Sequence, residues 1–376
     1  MNDVYINQLF TVLPNRPVSN DEIDNYLGLI GGEVSRVKKI VLGRNGIKQR
    51  YYALTEEGRI THSNAELTAE AVNGLFRHEV DRNSIEMLCC ATTTPDQLIP
   101  SHASMVHGLL KIKPLELLSV SGVCLTSLQA LKALFHAIKL GDKHNGICTT
   151  SELISPTFRA GNYNVGKEYA KKLGDNKYME FEKDFLRFML SDGANALFLE
   201  NSPRQNGISL HIEWIEVKSY ACNTPTCMYM GAELKPDGEL KGWKEFSIDE
   251  LQNKSILSIC QNFKILMSGM KYWVDFIEDV ISKYNIDVDS IDYIVPHISS
   301  MFIGEELKKE MQRRNVRLYE NWYVNLAEVG NIGSASIFIG LGGLMKNIAL
   351  QKGNKILLLV PESARFSYGM ALLTVV

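Results

Sequence analysis

Three side chains of this 376-residue chain stand where polar chemistry can be presented rather than packed away. Cys124 lies in SGVCLTSLQA, behind a small-residue turn that lets the backbone bend sharply before a helix. At a helix start, unpaired N–H groups and the positive dipole end favour a thiolate and can hold an oxyanion. His297, in VPHISS, follows the apolar strand Ile291 to Val295, with Pro296 ending the ladder, so the imidazole emerges at a strand's carboxyl end, where α/β sites collect. Asn331, in GNIGSAS, lies among small residues that permit close backbone approach. Taken singly, each has an ordinary alternative: a packed thiol, a satisfied loop histidine, an asparagine holding a turn. Taken together, a cysteine, a histidine and an asparagine divide the nucleophilic and electrophilic roles of acyl transfer.

The elements that must position them follow one pattern read twice. Short apolar runs alternate with helical stretches, the mark of an α/β chain. IEMLCCATTT, SVSGVC, NGICTTSEL and SDGANALFLE read as strand, turn into helix, strand, and Gly turn into strand. IDYIVPHISS, EVGNIGSAS, NKILLLVPESAR and FSYGMALLTVV read in the same order. The expected organisation is two related halves, 1–204 and 205–376, joined near NSPRQNG at 201–207. Cys124 belongs to the first half, His297 and Asn331 to the second. The helix after Cys124 carries its apolar stripe at Leu125, Leu128, Leu131, Leu134 and Ile138 and stops near Gly141. A second helix is expected from Phe263 to Lys283. The charged and aromatic stretch 161–187 reads as a partly helical insertion on the surface.

Composition narrows the function classes. Apolar residues at 45% and charged residues at 22% describe a globular chain with a sizeable core. A net charge of −3 gives no sign of nucleic-acid binding. No apolar run reaches the roughly 18 residues of a membrane helix, and Met1 to Pro14 do not resemble a secretion signal. Seven cysteines, several in apolar runs, suggest reduced thiols and a cytoplasmic location. Cys222 and Cys227 are the only spaced pair, without the further ligands a metal site needs, so no metal is expected.

In this order and collinear, the motifs resemble the thiolase superfamily and, within it, the β-ketoacyl-acyl carrier protein synthase III type. GIKQRYYA (Gly46 to Ala53), ATTTPDQLIPSHASMVHGLL and SDGANALFLE resemble further segments of that family. The resemblance implies a layered αβαβα core and an acyltransferase, a ketosynthase that forms carbon–carbon bonds by Claisen-type condensation. Cys124 would carry the acyl group. His297 and Asn331 would bind the carbonyl of a malonyl or β-ketoacyl thioester, and the N–H groups of Cys124 and Ala364 would hold the oxyanion. No cofactor is implied beyond the phosphopantetheine of an acyl carrier protein or coenzyme A that carries the substrates. A homodimer is implied, with Leu98 or Ile99 reaching the partner's acyl tunnel.

Two departures bear on the substrate. ESARFSYG stands where initiating members have a Gly-rich turn, so Arg365 is expected in or beside the site. There it would either work with Glu152 on a second proton transfer or form a structural ion pair with it. The segment before Gly46 lacks the Trp-Arg pair of coenzyme-A users. That favours a carrier protein, with Arg36, Lys38, Lys39 and Arg44 either at its entrance or forming a solvated basic face. These departures resemble ketosynthases of dialkylresorcinol and isopropylstilbene pathways, which close a cyclohexanedione ring. The alternatives are a chain-initiating synthase III, an acyltransferase on the same fold, and a non-catalytic partner subunit. Acyl chain length and branching are not encoded in any motif.

Overall fold

The structure, a computed structural model, describes residues 1–163, 177–253 and 256–376. Nine strands form the central sheet: β1 (Tyr5–Val12), β2 (Met87–Thr92), β3 (Glu116–Ser121), β4 (Asn145–Glu152), β5 (Gly193–Glu200), β6 (Leu210–Ser219), β7 (Tyr293–Pro296), β8 (Lys355–Glu362) and β9 (Ser367–Val375). The helices that cover or divide it are α1 (Asn64–Arg77), α2 (His102–Leu110), α3 (Thr126–Lys139), α4 (Lys177–Met189), α5 (Met270–Tyr284), α6 (Met301–Arg313) and α7 (Ser336–Asn347).

Strand order is β7-β8-β9-β6-β1-β5-β4-β2-β3. One pairing pattern occurs on each side of the centre. β2 is parallel to β4, which is antiparallel to β5, which is antiparallel to β1. Likewise β7 is parallel to β8, β8 antiparallel to β9, and β9 antiparallel to β6. β3 lies parallel beside β2, and its counterpart shrinks to a single parallel bridge between Ile294 and Trp322. The halves join through a short β1–β6 pairing at Tyr5 with His211 and Ile6 with Leu210.

Side chains alternate across these strands and sort the layers. Ile356, Leu358 and Val360 of β8 face a core shared with Leu128, Leu131 and Leu134 of α3 and Phe338 and Leu341 of α7. Leu357 and Leu359 face the other way, onto Trp273 and Ile277 of α5 and Leu307 of α6. In the first half Cys89 joins the shared core, while Leu88 and Cys90 pack on α1 and α2. The molecule is therefore helix, sheet, helix, sheet, helix, with α3 and α7 as the buried middle layer.

Two expectations about elements are corrected. The helix expected from Phe263 to Lys283 is broken at Gly269 into Phe263–Ser268 and α5. A Cβ on Gly269 would fall 2.0 Å from the Phe366 ring, and its carbonyl accepts the Tyr368 hydroxyl at 2.9 Å. The stretch 161–187 is not a surface addition throughout. Residues 164–176 lie outside the described residues, but α4 buries Phe185, Leu186, Arg187, Phe188 and Met189. Arg187 donates to the Phe158 and Leu27 carbonyls.

Candidate active site

Cys124, His297 and Asn331 come from the turn before α3, the end of β7 and the turn before α7, and all three line one cavity of about 80 Å³. That is room for several water-sized groups. Met189, Met228, Leu266, Met270, Trp273 and Phe366 make its walls mostly apolar, and Glu152 and Glu362 add two carboxyl groups.

Asn331 is fixed on both sides. Its N–H donates to the Met189 carbonyl at 3.1 Å and its carbonyl accepts from Ser191 N–H at 2.8 Å. The end of α4 and the turn after it, just beyond the stretch 161–187, thus hold the asparagine in place. The side-chain oxygen accepts from Gly333 N–H at 3.0 Å and the Ser336 hydroxyl at 3.3 Å. A backbone N–H can only donate, so this contact sets the amide orientation and turns Nδ2 into the available donor.

His297 is anchored by its N–H to the Leu359 carbonyl at 2.8 Å. Its Nδ1 is sealed from solvent without a partner among the described residues. Burial pulls the imidazole down to about 4, so at neutral pH the ring is an uncharged donor or acceptor.

Cys124 is partly exposed to the cavity. It precedes the first helical residue of α3 by two positions, and the expected thiolate is not found. Burial pushes the thiol far up, and the carboxyl groups of Glu152 and Glu362 push it further. Desolvation and two buried acids outweigh the helix start.

Glu152, the last residue of β4, accepts from Thr93 Oγ1 at 2.6 Å, Thr94 Oγ1 at 2.8 Å, Ser334 Oγ at 2.7 Å and Ser334 N–H at 3.1 Å. It ties the first half to the turn that carries Asn331. Burial raises its carboxyl and these donors oppose the rise.

Arg365 is neither in the cavity nor paired with Glu152. It is exposed, and its Nε donates to the Thr224 carbonyl at 3.3 Å. Ala364 N–H, expected to be an oxyanion donor, is taken by Glu362. Sequence reading missed Glu362. The signal was present: β4 and β8 both end a buried strand on glutamate.

Leu98 and Ile99 are 75% and 86% exposed and do not line this chain's cavity. Of the basic residues before Gly46, Lys38 pairs with Asp24 at 2.6 Å and Arg44 lies over the Phe302 ring. Arg36 and Lys39 are exposed, and none of the four lines the cavity. Among the described residues there is no cluster of metal ligands and no helix long and apolar enough to cross a membrane.

Residues 281–375 match the family model for the C-terminal part of 3-oxoacyl-[acyl-carrier-protein] synthase III. Over 359 residues the chain is 25% identical to a β-ketoacyl-[acyl-carrier-protein] synthase III of Clostridium novyi, covering 95% of each chain. Over nearly its whole length the chain is thus similar to β-ketoacyl-acyl carrier protein synthase III. A relative of the same name from Clostridium kluyveri is 23% identical over 380 residues and the full length of both chains. Two solved structures share the fold of this synthase III-like chain over 99% of each molecule. One is the tetronic acid condensing enzyme AbyA1, with a TM-score of 0.77 and 16% identity. The other is a cysteine-to-serine variant of Xanthomonas campestris OleA with bound lauric acid and lauroyl-CoA, at 0.73 and 18%.

Proposed function

We propose that the chain condenses an acyl group carried on Cys124 with the enolate of a second thioester, forming a carbon–carbon bond. The convergence of Cys124, His297 and Asn331 on one cavity supports this most directly. In the first half-reaction the Cys124 sulfur replaces the carrier thiol of an acyl thioester. In the second, a malonyl or β-ketoacyl thioester places its carbonyl oxygen against Asn331 Nδ2 and the uncharged His297 ring. The enolate forms by loss of carbon dioxide or of a C2 proton, and these two donors stabilise its charge. The enolate attacks the Cys124 thioester and the sulfur leaves. Each donor of this kind contributes roughly a hundred- to a thousandfold in rate.

The finer reading has a β-ketoacyl carrier protein as nucleophile and a ring-closing second condensation to a cyclohexanedione. The departure of ESARFSYG from a Gly-rich turn supports it, while Arg365 lends no help because it faces away from the cavity. Carrier protein or coenzyme A would enter past Arg36 and Lys39. Two copies would pair along the exposed edge strand β3, beside Leu98, Ile99, Met105 and Leu109.

Incubation with a panel of acyl thioesters, then with β-ketoacyl or malonyl carrier protein, tests both levels by mass spectrometry. The expected result is acyl label on Cys124, none on Cys124→Ala, and a cyclic product from the β-ketoacyl partner. Linear products from malonyl alone would make it an ordinary initiating synthase. Persistent label on Cys124→Ala would move the nucleophile elsewhere.

A further inference from the structure

Cys124 and the turn after β8 pose one problem together. Burial and two carboxyl groups push the Cys124 thiol up, no base is hydrogen-bonded to it among the described residues, and an amide expected to receive the thioester oxygen is occupied. Glu362 bears on both. It is 8% exposed, lines the cavity with Cys124, and accepts from the backbone N–H groups of Ala364 and, at 3.3 Å, Arg365.

Its counterpart differs in a telling way. Glu152 ends β4 as Glu362 ends β8, but Glu152 is saturated by the Thr93, Thr94 and Ser334 donors. Those donors join fixed elements, so Glu152 cannot leave them without opening the Asn331 turn. Glu362 holds only amides of its own turn and the adjoining Ser367.

We propose that Glu362 is the base of the acylation step: the arriving thioester's carbonyl oxygen displaces its carboxylate from the Ala364 N–H, and the freed carboxylate takes the Cys124 thiol proton. This rests on the condensing reading above. The same event fills the oxyanion site and strips the carboxylate of a hydrogen bond that stabilised its charge, so it becomes a stronger base at the moment the sulfur must ionise. The bond from Cys124 sulfur to the acyl carbon forms, the tetrahedral oxyanion sits on Ala364 N–H, and the bond to the carrier sulfur breaks. The carrier thiolate takes the proton back from Glu362 and leaves as a thiol. No oxidant or further reactant is required.

Cys124 before α3, Cys227 on the loop after β6 and Tyr368 on β9 interact with Glu362, and Glu152 at the end of β4 and His297 after β7 line the same cavity. Glu152 is held by its donors, and the His297 imidazole is pulled down to about 4 by burial. Arg365, next in the same turn, directs its side chain to Thr224 and supplies no counter-charge.

The test uses the full chain and two reagents on Glu362→Gln: hexanoyl-N-acetylcysteamine for acylation and iodoacetamide for alkylation, both read as mass on the Cys124 peptide. Removing the negative charge eases ionisation of the thiol, so alkylation should speed up severalfold. Removing the base should slow acylation by about a hundredfold or more. A merely structural or electrostatic role moves both rates in one direction, and that result overturns the proposal. Equal acylation of wild type and Glu362→Gln also overturns it while leaving the condensing reading intact. No label on wild type sinks both. Should the variant not fold, wild-type acylation decides: its rate must fall on acidification with a limb above the ordinary glutamate value of about 4.3. A flat rate overturns the proposal.

Discussion

The Cys124 thiol is pushed up rather than down, and that was not legible at the residue itself. Its motif named it, as the motifs of His297 and Asn331 named them, because turn chemistry before a helix is local. Its ionisation is set first by burial and then by Glu152 and Glu362, which arrive only when β4 and β8 end at the same cavity. The sign of the consequence is definite. A thiol raised above the ordinary cysteine value of about 8.5 is less ionised at every pH below its own midpoint. Alkylation of Cys124 by iodoacetamide should therefore keep climbing through pH 9 without a plateau, followed by peptide mass against exposed Cys222 in the same digest. A plateau below about pH 8 would restore the helix start as the dominant influence.

At the scale of elements, position depends on close approach that periodicity does not report. The strands and the helix after Cys124 were readable from apolar spacing. The break at Gly269 was not, because what meets it, the Phe366 ring from the β8–β9 connection and the Tyr368 hydroxyl from β9, comes from far along the chain. α4 was likewise misplaced at the surface, although its end fixes the Asn331 backbone. The turn GNIGSAS shows the same logic at higher stakes. Gly333 has a φ of +48°, and a Cβ there would meet Glu152 Cγ at 3.0 Å. Gly333→Ala should cost roughly 1–3 kcal/mol of stability through strain. It should also slow condensation more than acylation, since it displaces Asn331 and leaves Cys124 in place. Thermal unfolding and the two separate rates check this. Wild-type values for all three would show that the tight contact is dispensable.

For the whole molecule, one strand-pairing pattern occurs on each side of a shared core. The repeated order of motifs was visible in the sequence because each half repeats the same strand and turn types. That α3 and α7 lie between the half-sheets followed only from the resemblance, which implied a layered αβαβα core; periodicity does not report it, since the contacts that put them there join residues from both halves. A shared middle layer predicts shared unfolding. All four tryptophans, Trp214, Trp243, Trp273 and Trp322, belong to the second half, so their fluorescence reports on that half alone. Leu128, in α3 of the first half, is fully buried in the shared core. Leu128→Ala should remove about 2–5 kcal/mol through lost burial and the cavity it leaves. If the middle layer couples the halves, tryptophan fluorescence and far-ultraviolet circular dichroism must shift together, by the same denaturant increment. A fluorescence transition that stays at the wild-type midpoint while the dichroism moves would mean that the halves melt apart. The positions of His297 and Asn331 would then be independent of the helix that carries Cys124.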